Sequence, residues 1–437
     1  MRRRKGMEFG VTAQSTPPFR DLIKTFARIG CLSFGGPVGQ IALMHREVVE
    51  ERGWVSEDQY LHALNFCHFL PGPEAQQLAT WIGWKLHGWR GGLAAGLLFV
   101  VPGALVILAL SIFYAAAATL GWFAALFLGI KAAVLALVVQ ALLRIATRAL
   151  DTPFKRLLAV LAFAALALFA LPFPLVIGGM ALIGFAVAAT RPGLLGLRSA
   201  GAPVALPPRP WAATLRTVVL WGSVWALPMV LVLTLLGREH VLWQIGVFFS
   251  QLAVVTFGGA YAVLAYMAQE AVNGFGWLSA GEMADGLGLA ESTPGPLIMV
   301  TQFVGYLAAF RAPEPFTPLV AGIIGAALTT WVTFAPCFLW IFAFAPWIER
   351  MERAVRLKGA LAAVTAAIVG VIGSLALWFG GHLLFRSYDG GLPVWTSLDW
   401  RAAAMSLLCA GLLFRLKWGV LPVLGTAALG GLALSQF

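Results

Sequence analysis

Apolar runs some twenty residues long, separated by short polar or glycine- and proline-rich connections, recur along nearly the whole chain. A hydrocarbon core about 30 Å thick takes about 20 residues of helix to cross, and a helix satisfies its own backbone groups there. On that count thirteen segments are predicted, near 24–48, 59–88, 91–118, 120–147, 155–171, 173–190, 212–236, 243–269, 282–310, 318–347, 359–385, 401–414 and 418–436. The pattern therefore predicts an all-α polytopic membrane protein with about 13 transmembrane segments.

Composition agrees with the pattern. Of 437 residues, 60% are hydrophobic and 11% charged, against roughly 45–50% and 25% in a soluble domain. A formal charge of +11 would point to nucleic acid if the basic residues shared one folded face. They sit instead in the connections, which excludes nucleic acid as a partner and leaves the lipid bilayer. If the amino terminus is cytoplasmic, the clusters Arg2 to Lys5, Lys85 with Arg90, Arg144 to Arg156, Arg191 to Arg216, Arg350 to Lys358 and Arg415 with Lys417 all fall inside, as basic residues in short loops should. The turns near Leu120 and Pro172 then lie outside and carry no charge. This predicts a multi-pass bacterial inner-membrane protein with a cytoplasmic basic tail over 1–23 and a periplasmic carboxyl terminus. Making 59–88 and 282–310 re-entrant would move the Arg144 cluster outside; making 24–48 re-entrant as well restores the parity and stays open.

Shifting the chain by 223 positions aligns Phe26 to Pro73 with Phe249 to Pro296, with 15 of 48 positions identical. The matches concentrate at Phe34 to Gly36 with Phe257 to Gly259, Glu47 with Glu270, Gly53, Trp54 and Ser56 with Gly276, Trp277 and Ser279, and Pro71 to Pro73 with Pro294 to Pro296. An odd number of crossings between equivalent starts inverts the second copy. Inverted repeats with broken helices are a common transporter plan, with the substrate at midplane. The expected division is a first repeat over 24–190, a linker with a connecting helix over 191–242, and a second repeat over 243–437.

The breaks carry the chemistry. Phe34, Gly35, Gly36 and Pro37 interrupt one apolar segment, and Phe257, Gly258, Gly259 and Ala260 its counterpart. Pro71, Gly72, Pro73 and Pro294, Gly295, Pro296 must end their helices. Each half-helix that restarts near Glu74 or Leu297 points free amides and about +0.5 charge into the break, which suits an anion. Candidate substrate ligands are Ser33, Asn65, Gln76, Gln77, Thr256 and Gln302, with Ser292, Thr293 and Thr301 also beside the breaks. Carboxylates repel an anion unless protonated, so Glu74, Glu291 and His68 are coupling candidates. Lys131, eleven residues into its span and roughly 16 Å deep, is the expected cation; with two helix ends it would supply about +2. Glu47 and Glu270 suit a structural or gating role, and Trp54, Trp277, Trp347 and Trp418 interfacial anchoring. Cys31, Cys67, Cys337 and Cys409 show no metal or disulfide spacing; they, like His45, His62, His87 and His240, point to no metal. No nucleotide, dinucleotide or nucleophile motif is present, so no cofactor and no enzyme are expected.

The stretch from Phe26 to Gly92, with FGGP at 34–37 and PGP at 71–73, resembles the first-half signature of the chromate ion transporter family, and Thr256 to Tyr306, with FGG at 257–259 and PGP at 294–296, resembles its second half. The second half has Ala260 where the first has a proline, so the two breaks need not be identical. The resemblance implies a secondary transporter that exports chromate, a sulfate-like tetrahedral dianion, and so confers resistance. Transport of sulfate or another oxyanion with incidental chromate passage is the alternative; a membrane-bound reductase or sensor lacks cofactor motifs. Association as a homodimer is left open.

Overall fold

The computed structural model describes residues 16–118, 120–197, 211–257, 260–389 and 392–434. The basic tail Arg2 to Lys5, and Gly258 and Gly259 of the second break, lie outside the described residues. In chain order the helices are α1 Phe19–Leu32, α2 Gly36–His45, α3 Glu57–Cys67, α4 Glu74–Ala117, α5 Gly121–Ala149, α6 Pro153–Ala167, α7 Phe173–Thr190, α8 Trp211–Leu236, α9 Val241–Val255, α10 Ala260–Gln269, α11 Ala280–Ser292, α12 Val300–Arg311, α13 Pro318–Phe344, α14 Ile348–Arg353, α15 Val355–Leu384, α16 Trp400–Ala410 and α17 Val420–Leu434. A two-stranded hairpin, β1 Tyr388–Asp389 with β2 Leu392–Pro393, sits between α15 and α16. The chain is thus an all-α polytopic membrane protein, and six of its helices are long and apolar enough to cross a bilayer.

Four of the predicted segments double back instead of crossing. In 24–48, Arg28 on α1 lies 3.5 Å from Glu47, which follows α2; on one straight helix these residues would be roughly 28 Å apart. In 59–88, α3 starts against the end of α2, with His45 2.6 Å from Glu57, and rises to the Pro71 break. The chain then descends to His87, whose ring reaches the Pro17 carbonyl at the start of α1 (2.7 Å). There His87 and Gly88 leave helical geometry, and the second arm of α4, 89–117, runs the full height. In 243–269, Phe248 packs on Tyr266 with ring centroids 5.6 Å apart. In 282–310, Arg311 pairs with Glu282, and Phe303 closes on Gly286. The half-helices of 10 to 15 residues are about 15–22 Å long, roughly half a membrane plus its interface.

The two copies match down to their turns. Ser56 and Ser279 both open their helices with capping boxes, through Gln59 and Glu282. Both descending arms end in a π-helical turn, Arg46–Glu50 and Glu270–Gly274. Five passes from one face toward the other (89–117, α5, the 15-residue α6, α7 and α8) separate the first pair of hairpins from the second, an odd number, so the copies are inverted. We call the side of Pro17 and His87 the near face, and the side of His240 and Arg311 the far face.

Packing interlocks the copies. Helix α15 of the second copy lies against α6 and α7 of the first, and α5 of the first against α16 and α17 of the second. Glycines set these contacts: Gly184 meets Gly359, Gly370 meets the Ala159 carbonyl, and Gly129 meets the Ala427 carbonyl. Helix α8 packs on α9 and α13 and is otherwise uncovered, only Thr214 being buried.

Candidate substrate site at the hairpin tips

The hairpin tips meet in pairs, Ser33 of the first against Gly295 of the fourth and Gly72 of the second against Thr256 of the third. Gly295 abuts Gly103, the middle residue of 89–117; a side-chain carbon on Gly295 would lie 3.0 Å from the Gly103 Cα, and one on Gly72 2.9 Å from Cys337 Sγ on α13. The tips are joined by a mirrored pair of bonds. The Gly72 amide donates to the Thr256 carbonyl (2.8 Å), and the Gly295 amide to the Ser33 carbonyl (2.9 Å). Both glycines need positive φ, 116° and 99°, a region closed to most side chains. Proline removes the competing donors on either side, so each PGP makes one tight, directed contact with the opposite copy.

Each tip pairs the C-terminus of a rising helix with the N-terminus of a returning one. Helices α2 and α4 and the short turn before α12 have no side-chain cap, leaving first-turn amides directed at the tips. Gln40 donates to the Gly295 carbonyl (2.6 Å), and Gln77 to the Pro71 carbonyl (2.6 Å). Four buried polar atoms here have no hydrogen-bond partner: Ser33 Oγ and the side-chain oxygens of Gln40, Gln76 and Gln77. Such clustering is unusual in a folded interior, where buried polar atoms are nearly always paired.

A cavity of about 400 Å³ opens beside the tips and extends toward the near face. Its upper wall is Gly35, Gly36, Pro37, His68, Glu74 and Glu291; its lower wall is α5, with Gln140 and Arg144. His68 Nδ1 lies 3.0 Å from Glu74 Oε1 across the Pro71 turn. His68 and Glu291 are 223 positions apart, so the repeat places one ionisable group from each copy three residues before its PGP. A larger cavity, about 700 Å³, reaches the Pro71 tip but is lined by apolar side chains such as Phe69, Phe257, Trp340 and Leu361. It offers an anion nothing.

The structure gathers Ser33 to Gly36, Pro71 to Pro73, Gln76, Gln77, Thr256, Pro294 to Pro296, His68, Glu74 and Glu291 at or beside the tips. Some of these serve the fold: Thr256 Oγ1 returns to the Leu252 carbonyl, and Gln302 bridges the Ala104 carbonyl and Thr330. Asn65 is exposed on α3, away from the cavity. Lys131 is elsewhere: its ammonium lies 3.1 Å from Asp285, whose other oxygen accepts from the Tyr114 hydroxyl (2.7 Å). Depth alone suggested a central cation, but α5 turns Lys131 toward α11 and the far half. The cation on the wall of the cavity beside the tips is Arg144, a residue counted with the loop cluster. Asp285, not singled out from the sequence, is a buried member of α11; its position six residues past the Ser279 cap was the available signal. Glu47 is fully buried against Arg52 (2.6 Å) and Arg28, a structural lock below the tips. Among the described residues, no group of three or more His, Cys, Asp or Glu could hold a metal ion.

The profile of the family described as "Chromate transporter" matches residues 20–185 and 243–432, one block per repeat. A chromate transport protein of Pseudomonas aeruginosa is 32% identical over 435 residues, covering 96% of this chain and 94% of that protein. A probable chromate transport protein of Synechococcus elongatus is 29% identical over 369 residues (84% and 85%), and a chromate transport protein of Cupriavidus metallidurans 28% over 358 residues (82% and 81%). No solved structure matches the chain.

Proposed function

The chain belongs to the chromate transporter family, and from that premise we propose that it exports chromate across the bacterial inner membrane by alternating access, conferring chromate resistance. The carrying observation is the cavity beside the first, second and fourth tips, lined by Gly35, Gly36, His68, Glu74 and Glu291, with Arg144 on its wall. The dianion binds between the first-turn amides of α2 and α4 and the Arg144 guanidinium. The Ser33 hydroxyl, buried without a partner, supplies a donor in place of water, while Gln40, Gln76 and Gln77, whose amide hydrogens go to Gly295, Thr80 and Pro71, hold the tips in shape. Glu74 and Glu291 oppose the anion while ionised, so protons on these carboxyls or on His68 accompany its binding; these three are the coupling groups.

Orientation follows charge. The near face takes the α5–α6, α7–α8, α13–α15 and α16–α17 connections, where Arg144 to Arg156, Arg191, Arg350 to Lys358, Arg415 and Lys417 fall, so it is the cytoplasmic face. The cavity thus faces the compartment from which chromate is removed. Outward movement of a −2 ion through an inside-negative 100 mV releases about 4.6 kcal/mol, a gradient of roughly 2,000-fold. Sulfate shares chromate's charge and tetrahedral shape, and the cavity's amides and guanidinium do not separate the two; sulfate transport with incidental chromate passage is the second reading.

Proteoliposomes carrying the purified protein test this directly. Under an imposed potential, chromate flux is expected to follow the potential and to fall with Arg144→Gln. Absence of flux under any combination of potential, pH gradient and sulfate would overturn the assignment; sulfate flux that excludes chromate would establish the second reading.

A further inference from the structure

A second cavity, of about 500 Å³, lies in the far half and is lined by Lys131, Gly281, Ala284, His382, Arg386 and Asp399 among others. It shares three helices with the near cavity. On α5, Leu128 and Lys131 line the far cavity, and Leu137, Gln140, Ala141 and Arg144 the near one. On α11, Gly281 and Ala284 line the far cavity and Glu291 the near one; with Gly288 they form a single helical face, spaced three and four apart. On α15, Phe379 and His382 belong to the far cavity and Thr365 to the near. Lys131 and Arg144 stand about 20 Å apart along one helix, so α5 gives each cavity one cation, and the far cavity also holds Arg386, paired with Asp399.

What separates the cavities is thin. Gly288 is buried, and a Cβ there would run into Ile130 Cγ2 and sit 3.4 Å from Val134 Cγ2. Helix α15 packs on both α5 and α11, with Ile368, Ile372 and Leu375 all buried. The seam is otherwise held by Lys131 with Asp285, a pair that joins α5 of one copy to α11 of the other, steadied by Tyr114 from α4.

Resting on the transport reading above, we infer that the anion's path follows the α5–α11 seam, that Ile130, Val134 and Gly288 form its plug, and that Lys131 is the anion ligand on the far side. In this state Asp285 occupies the Lys131 ammonium. Movement of α11 along α5 parts the plug and the pair together, and the arriving oxyanion replaces Asp285 as the counter-ion. The exchange keeps one negative group on Lys131 throughout, and Asp285, still bonded by the Tyr114 hydroxyl, takes up a proton from the far cavity as it lets go, so that neither side is left as an unpaired buried charge.

The test uses the full chain in proteoliposomes, with the four native cysteines replaced by alanine and single Ala284→Cys or Ala141→Cys variants. The probes are a membrane-impermeant anionic thiosulfonate for labelling and sulfate and chromate for flux. Ala284→Cys is expected to react from the far face only and Ala141→Cys from the near face only; adding Ile130→Ala and Val134→Ala makes both react from both faces. Lys131→Gln is expected to raise the half-saturating anion concentration at least tenfold for anion supplied at the far face and less than twofold at the near face, and Lys131→Arg to restore it. Labelling of both cysteines from one face, or equal effects of Lys131→Gln on both faces, would overturn the path. Wild-type vesicles without flux would instead sink the transport reading, while opposite-face labelling would still support the seam.

Discussion

Gly72 and Gly295 each meet three demands at once. Each holds a positive φ, faces neighbouring atoms about 3 Å from where a Cβ would stand, and donates to the other copy. Gly72→Ala and Gly295→Ala should each cost about 1–3 kcal/mol of local strain and reduce anion flux severely while leaving membrane insertion intact, as flux and protease protection would report. Glu47→Gln removes a fully buried charge shared by the part-exposed Arg52 and Arg28; a loss of about 1–2 kcal/mol should appear as earlier thermal unfolding in detergent, with a smaller change for the part-exposed Glu270. Asp399 caps α16 through the Arg401 and Ala402 amides and pairs with Arg386. Burial alone would raise its pKa, but the guanidinium and the amides hold it below the usual carboxylate range. Its folded value lies below its unfolded one, so its contribution is complete above about pH 4 and is lost as pH falls through the lowered value. Hydrogen exchange over 385–399 should therefore rise only in acid, and Arg386→Ala should move that rise to higher pH. The sequence exposed the PGP triplets, FGGP, His68, Glu74 and Glu291 because breaks and ionisable groups stand out against apolar surroundings. It could not show that Lys131 lies beside α11, because depth along a helix says nothing about which way a side chain turns, nor that Arg144 lines a cavity, because a cation near a helix end reads as a loop charge until a cavity is seen beside it.

At the scale of elements, the segments were legible and their course was not. An apolar run of about 25 residues with glycines at its centre has one composition whether it crosses or folds back, and basic residues restrict only the parity. What decides is a contact between its two arms: Arg28 with Glu47, Phe248 with Tyr266, Arg311 with Glu282. Doubling back at all four places preserves the parity that the basic clusters require. Cysteines introduced at Glu51 and Trp89 should both react with an impermeant thiol reagent from the near face, and cysteines at Gly276 and Pro313 from the far face. Opposite-face labelling of Glu51→Cys and Trp89→Cys would show that the hairpin is a crossing.

For the whole molecule, the 223-residue repeat was the most informative signal, because it predicted inversion before any contact was known. It could not reveal that α5 packs among α16 and α17 while α15 packs among α6 and α7; packing partners across copies leave no trace in a self-alignment. The consequence concerns α8. Nearly bare, and joining two bodies that already clasp each other, it is an orienting insert more than a tether. Cutting the chain between α7 and α8 and co-expressing the pieces should yield a complex that stays together through purification and still carries anion. A piece ending at α7 expressed by itself, deprived of α15, would be left with a raw flank and be degraded. Equally, an ancestor of half this length would have had to insert in both orientations and clasp its own upside-down twin, and fusion through one extra crossing would have frozen that choice.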